Sequence, residues 1–533
     1  MRLWYFALLA VAGVVAPAVA TPLFKEEMIP MRDGIRLSAT VALPAGPGPF
    51  PAILTRTPYA LPASPSNYVE AGYAVVQQNL RGLFKSEGKW ANFQTEIADG
   101  YDTVEWIAAQ SWSNGKVGVL GSSGPGIAGY MALMSGAPHL TAGVIQNAHA
   151  SSYSTATFPG GVYQAGLVDS WLEARGAPIP PLFPRPVFRR YDTEAQQIDV
   201  RTHAANIRVP ILHYTGWFDI FTQGTIDYFH LAQTHGSEKA PGNQKLIVHP
   251  KGHSGQLPGE LQWETEMFSF PGLSRRWFDY WLRDIDTGIQ KQPPVQYYML
   301  GDPRKPGAPG NSWRAGASWP PIHHSESFYL LPGGGLSRTA PTQKTASSSF
   351  DYEPLDPVPS LTAKPDDWLN RAPVDQRPLQ PRADILRFTS LPRPQDVEIA
   401  GQVEAELYVS TTAKDTDFFV RFLDIHPDGY EAVMLSQPLR LRFREGFDKM
   451  LPVRQNRVYK IRVNLWSIAM ILPKGHRIGV HITSSDSPRF DRHSNTWEPV
   501  KDYDEAVNAT NTVYHSARYP SRLILPLRGR GRQ

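Results

Sequence analysis

Residues 117–126 read VGVLGSSGPG. Val117, Val119 and Leu120 continue an apolar run from Lys116, which predicts a buried strand. Small residues follow from Gly121 to Gly126, and Ile127 to Met134 then reads as a helix. Strand, tight turn and helix in immediate succession are the geometry of a nucleophile elbow. There a sharp turn lifts one serine hydroxyl to the tip of a sheet, with a helix N-terminus behind it to favour developing negative charge. Side chains on such a turn would strike the neighbouring backbone, hence the glycines. Pro125 breaks the G-x-S-x-G form, but Gly121, Ser123 and Gly126 satisfy G-x-S-x-x-G. A glycine-rich turn without chemistry is the alternative reading of the motif alone.

Outward from this turn the chain alternates strands and helices. Residues 22–60 read as antiparallel strands with a turn at Asp33-Gly34, leading into a core strand at Pro51–Thr55. Tyr73–Val76 and Ala142–Ile145 are further buried runs. Residues 99–110 (DGYDTVEWIAAQ) place Val104, Ile107 and Ala108 on one helical face. The rhythm breaks at 148–205, which is rich in Ser, Tyr and Pro with PIPPLFPRP at 178–186. It returns at Val209–His213 and Lys245–Val248, before a helix over Arg275–Asp284. This alternation predicts a mainly parallel sheet covered on both faces, interrupted by an insertion.

A serine nucleophile needs a base, and the base needs an orienting carboxylate. On such a sheet the chain order is Ser, acid, His, each on a loop after a strand. VPILHYTGWFDIF places Asp219 past one strand end, and KLIVHPKGHSG places His253 past the next. His249, His213 and His149 stay open as alternatives, although a hydrogen-bonded structural histidine is the plainer reading of each; Asp227 falls within the following helix. The insertion follows the strand after the elbow, so it should fold over the sheet's C-terminal edge. Its Phe158, Tyr163 and Trp171, with Tyr153, and Trp217 beside the acid loop, are therefore expected to line an aromatic acyl pocket.

Beyond about residue 325 the period changes to two. Val403, Ala405, Leu407 and Val409 alternate with polar or aromatic neighbours, as do Ile461, Val463 and Leu465 and then Ile478, Val480 and Ile482. Strands with one buried face, separated by Gly/Pro turns, predict a β-sandwich. Residues 331–382 are rich in Pro, Ser and Gly and read as a long connection over the surface.

The 533 residues contain no cysteine, which excludes disulfides, thiolate catalysis and thiolate-held metals. A net charge of +4 is too small a surplus over this length for a nucleic-acid surface. The histidines show no zinc-protease spacing, and neither a metal nor a cofactor is expected. Residues 1–20 (MRLWYFALLAVAGVVAPAVA) combine Arg2, an apolar run and Ala18-Val19-Ala20. The run is shorter than the about 20 residues a spanning helix needs, so it reads as a signal segment cleaved near Ala20, giving a secreted or periplasmic protein without stable membrane insertion. Self-association stays open.

The residues together resemble the cocaine esterase / Xaa-Pro dipeptidyl-peptidase (CocE/NonD) family. IPMRDG at 29–34, LTRTPY at 54–59, LRGLFKSEG at 80–88, the approach to Ser123, GWFD at 216–219, HPKGH at 249–253 and LPKGHRIGVHITSSDSPRFDRHSNT at 472–496 carry the likeness. The resemblance implies an α/β-hydrolase core over 21–147 and 206–324, a helical cap at 148–205 and a C-terminal jelly-roll sandwich over 325–533. It also implies a serine hydrolase cleaving a small-molecule ester or amide without cofactor. Ser123 would be the nucleophile, Asp219 the acid and His253 the base, with the Tyr59 hydroxyl and the Gly124 N–H as oxyanion donors. Three departures from the family pattern stand out. Gly124 replaces a common Tyr, and Asn79 a common Asp. Ala60, Phe221 and Thr222 stand where the α-amino-acid ester hydrolases of the family carry the carboxylates that bind a substrate ammonium. The departures argue against an α-amino substrate. Xaa-Pro dipeptidyl-peptidase activity, or a catalytically weak scaffold binding an envelope or polysaccharide component, are the competing readings.

Overall fold

The computed structural model describes residues 23–61, 67–175, 189–255, 259–263, 270–321, 324–362, 364–370 and 373–528. The signal segment read at 1–20 and the proline-rich run at 178–186 lie outside the described residues. No described helix is long and apolar enough to cross a membrane.

The strands of the first half are β1 (Leu23–Pro30), β2 (Arg36–Leu43), β3 (Phe50–Thr57), β4 (Ala74–Asn79), β5 (Ser113–Ser122), β6 (Leu140–Gln146), β7 (Ile211–Phe218), β8 (Lys245–Gly252), β9 (Val295–Met299) and β10 (Ser312–Gly316). They form one sheet in the order β1-β2-β4-β3-β5-β6-β7-β8-β9-β10. From β4 to β9 every pairing is parallel, and antiparallel strands close both ends. Central strands carry helices on both faces and are rich in apolar residues; every residue of β7 is buried. The edge strand β1 instead exposes Lys25, Glu26 and other residues, which discourages pairing with a further chain. The Asp33-Gly34 turn joins β1 and β2 as expected, with Pro30 facing Arg36.

Two helices position the elbow. Gly124–Leu133 begins where β5 ends, and Glu96–Ala108 packs beside it. Glu96 and Asp99 of the second helix reach back to the sheet: Arg56 on β3 meets Glu96 at 2.7 Å, and Arg81 meets Asp99 at 2.6 Å. These buried pairs fix the end of β3, from which the Tyr59 loop departs. The insertion contributes the helix Ala165–Ala174 and the short helices Thr193–Gln197 and Val200–His203.

The second half is an eleven-stranded β structure of jelly-roll type. Its longest strand, Val397–Thr411, pairs with Tyr459–Leu472, Arg522–Leu527 and Ala509–Tyr514. The apolar core does not stop between the halves. Trp217, Leu246, Val248 and Tyr297 of the first sheet pack in one cluster with Val403, Leu407, Ile468 and Met470 of the second. Leu300, just past β9, bridges to Met470, its N–H donating to the Ala469 carbonyl at 3.0 Å. Residues 331–382, read as a surface connection, are more than that. They include the strands Gly335–Ser337 and Ser347–Tyr352, and Trp368 and Asn370 are buried. Proline and serine content shows where helices stop, but not whether the extended backbone pairs with a distant strand.

Candidate active site

Ser123 leaves β5 with φ 59° and ψ −128°, a left-handed-side conformation that costs a non-glycine residue about 1–3 kcal/mol. The turn is held by its own hydrogen bonds: Ser123 N–H donates to the Gln146 carbonyl, and Ile127 N–H to the Ser123 carbonyl at 2.8 Å. A Cβ on Gly121 would lie 2.3 Å from the Pro125 carbonyl oxygen, so that turn admits no side chain there. Ser123 Oγ sits 2.8 Å from His253 Nε2, and His253 Nδ1 sits 2.5 Å from Asp219 Oδ2. Asp219 is fully buried, and its second oxygen accepts the Phe221 N–H at 2.6 Å, which locks the carboxylate toward the imidazole. Burial alone would pull the His253 pKa down. The Asp219 charge and hydrogen bond, joined by the charge of Asp367, outweigh it and hold the pKa above its ordinary 6.5.

The structure thus brings Ser123, His253 and Asp219 together and gives the other histidines different work. His213 is bonded to Tyr130 Oη and Gln244, and burial pulls it down to about 3. His249 is likewise buried, also at about 3, and its Nδ1 accepts the Lys251 N–H. His149 lies in the wall of the cleft above Ser123, and burial holds it near 4, a neutral ring at neutral pH. Asp227 lies within the helix Thr222–His235, bonded to Gln223.

The Tyr59 hydroxyl approaches the same turn. Trp171 Nε1 donates to its oxygen at 3.4 Å, leaving the hydroxyl hydrogen to be donated elsewhere. The Arg175 guanidinium stacks 4.2 Å over the Tyr59 ring. Gly124 is the first residue of its helix, where a backbone N–H has no intrahelical acceptor. Both groups are hydrogen-bond donors beside Ser123, of the kind an oxyanion there would require.

The X-Pro dipeptidyl-peptidase (S15 family) profile matches residues 33–179 and 187–255, and the X-Pro dipeptidyl-peptidase C-terminal non-catalytic domain matches 287–524. A cocaine esterase of Rhodococcus sp. is 29% identical, covering 94% of this chain and 97% of its own. The chain belongs to the cocaine esterase / X-Pro dipeptidyl-peptidase-like family of serine hydrolases. An α-amino-acid ester hydrolase of known structure superposes with a TM-score of 0.80 at 25% identity, covering 97% of this chain and 98% of that one. An aminopeptidase from a marine-sediment Thaumarchaeota archaeon shares the fold, with a TM-score of 0.79 at 22% identity over 98% and 99% of the two chains.

Two departures from the family pattern have structural correlates. A Cβ on Gly124 would lie 2.8 Å from the Tyr59 hydroxyl and 2.9 Å from Pro58 Cγ. The hydroxyl therefore occupies the space a side chain at 124 would need. Gly124→Ala is expected to push Tyr59 aside and lower kcat by about 100-fold, the scale for losing one oxyanion donor, with KM little changed. Steady-state kinetics beside a circular-dichroism check of the fold would measure it; wild-type kcat would show that Tyr59 can yield without loss. At the second departure, Asn79 Nδ2 donates to the Tyr59 carbonyl at 2.8 Å. An ionised aspartate, which only accepts, could not make that bond. The asparagine secures the main chain of the tyrosine loop.

The expected pocket residues divide. Trp171 lines the cleft with Phe93, Ile127, Leu167, Phe221 and Leu369. Phe158 and Tyr163 do not; they pack with Tyr153 and Ala195 in a separate cluster inside the insertion. Trp217 does not either: its indole donates to the Tyr298 carbonyl at 2.7 Å and its ring lies against Trp319, in the core shared with the sandwich. On an all-buried strand, proximity in sequence to Asp219 does not decide which side of the sheet a ring occupies. Sequence reading missed Phe93, Leu167 and Leu369 in the cleft, the last supplied by the second half of the chain. Asp302, in the loop between β9 and β10, forms a buried group with metal-ligand character together with His426 and His476 of the second half. His476 Nε2 and His426 Nδ1 lie 3.8 and 3.9 Å from Asp302 Oδ2, but Arg304 already donates to His426 Nδ1. The group shares no residue with the Ser123 cleft.

Proposed function

We propose that this serine hydrolase cleaves an ester or amide of a neutral, largely apolar acyl group through an acyl-enzyme on Ser123. The observation that carries the reading is the single line of contacts from Ser123 Oγ through His253 to Asp219. Ser123 Oγ attacks the carbonyl carbon while His253 Nε2 takes its proton. The oxygen of the tetrahedral adduct gains negative charge and accepts from the Gly124 N–H and the Tyr59 hydroxyl. His253 returns the proton to the leaving alcohol or amine as the bond to it breaks. A water molecule then repeats the attack on the acyl carbon, its proton passing to His253 and on to Ser123. Asp219 keeps the imidazole in the tautomer that accepts at Nε2 and stabilises the imidazolium.

The neutral-acyl reading is supported by the wall of the cleft. None of the described residues lining it is acidic. Thr222 is committed to the acid turn, its hydroxyl donating to the Gly216 and Asp219 carbonyls, and Phe221 presents a ring. Burying an unpaired ammonium costs several kcal/mol, whereas apolar contacts contribute about 25 cal/mol per Å². A phenylacetyl ester should therefore exceed the phenylglycyl ester of the same alcohol in kcat/KM by at least tenfold, about 1.4 kcal/mol of transition-state stabilisation. A preference for the phenylglycyl ester would reveal an acid that receives the ammonium and would overturn the neutral-acyl reading.

A further inference from the structure

The loop carrying His253 is clamped from two sides. Asn147 Nδ2, just past β6, donates to the His253 carbonyl at 2.8 Å. The His253 N–H donates to Asn370 Oδ1 at 2.7 Å. Asn370 belongs to the second half of the chain, within the region matching the domain described as non-catalytic. Its amide orientation is dictated by chemistry. Nδ2 donates to both oxygens of Asp367, at 2.9 and 3.0 Å, and a carboxylate can only accept. The oxygen must then face His253. The main chain of Asn370 also runs beside Asp219 as an isolated antiparallel bridge, so one residue touches both partners of Ser123. The same short strap continues the site: Trp368 is buried in the first half's core, and Leu369 lines the cleft. Arg489 of the sandwich donates to the Asn370 carbonyl at 3.5 Å.

We propose that Asp367 and Asn370 are positioning residues for the general base, so that the C-terminal half completes the active site by holding His253 in line with Ser123. The inference rests on His253 being the base. Asn370 supplies the acceptor that fixes the His253 main chain; Asp367 fixes Asn370 and places a negative charge near the imidazole. Among the described residues, the charged groups facing His253 are Asp219 on the loop after β7 and Asp367 on the strap, with Arg489 beyond Asn370. Loss of the Asp367 charge leaves burial and Asp219 to set the imidazole, and the base becomes weaker.

The test uses the full-length protein with p-nitrophenyl phenylacetate across a pH profile. Asn370→Ala should lower kcat by about 10- to 100-fold at nearly constant KM, the scale on which small misplacements of a catalytic group are felt. Asp367→Asn should move the acid limb of kcat/KM to lower pH, and Asp367→Glu, which keeps the charge, should move it back toward wild type. Wild-type kinetics in Asn370→Ala, or an unmoved limb in Asp367→Asn, would overturn the proposal. If Asn370→Ala does not fold, the two Asp367 variants decide it through the limb alone. Ser123→Ala separates the two levels. If it stays active, the triad reading fails and this inference with it. If it is inactive while the strap variants match wild type, only the strap inference fails.

Discussion

Ser123→Ala is expected to lower kcat by about 10⁴- to 10⁶-fold while leaving the fold intact. The attacking atom is removed, and the residual rate comes from the oxyanion donors and from binding. Alanine is smaller than serine and takes the same backbone strain at φ 59°, so nothing around the turn must move. A fluorophosphonate probe should label the wild-type protein on the peptide containing Ser123, and the label should vanish in the variant. Ser122, exposed at the end of β5, is the control. A dead Ser122→Ala beside an active Ser123→Ala would shift the elbow by one residue. Failure of the wild-type protein to take any label would favour the binding-scaffold reading.

Asp219→Asn is expected to cost about 10⁴-fold in kcat, because an amide can present N–H to His253 Nδ1 and stabilise the tautomer that cannot accept at Nε2. The pH profile adds a signed check. In wild type the His253 pKa lies above 6.5. Below it the ring already holds a proton and cannot take one from Ser123; above it the ring is neutral and kcat/KM reaches its plateau. Activity should therefore fall as pH is lowered through a value higher than that of an ordinary histidine. In Asp219→Asn the burial that opposes protonation remains while its main counterweight is gone, so the residual activity should show its acid limb at lower pH. A wild-type profile in that variant would mean Asp219 does not govern the base.

The strand–helix alternation and the position of the elbow were legible because both are local. Apolar runs bounded by glycine and proline fix strands such as β5 and β8, and the spacing from strand end to Asp219 and His253 fixes which loops they ride on. The period-two runs around Val403 and Ile461 foretold the sandwich for the same reason. What could not be read was contact between distant segments. Asp367-Trp368-Leu369-Asn370 carries no motif, and its residue types suit any polar loop; its part in the site depends on where the second half docks. Trp217, Phe158 and Tyr163 misled because aromatic content marks a packed interior and does not say which interior. In sequence the Asn79 departure shows only an exchanged residue, and the carbonyl it faces reveals a gained donor.

The apolar cluster that runs from Trp217 and Tyr297 into Leu407 and Ile468 has a consequence for how such a chain evolves. Two sequence profiles meet between residues 255 and 287, as if a module boundary lay there. Among the described residues, the apolar packing runs on between the two halves without a seam. A recombinant carrying a foreign second half would inherit a hydrolase sheet with one face cut for a different partner, and each large ring left facing water would forfeit the burial that held it. The halves are thus bound to be inherited as a pair, and changes of substrate should accumulate by point substitution around the cleft rather than by exchange of whole parts.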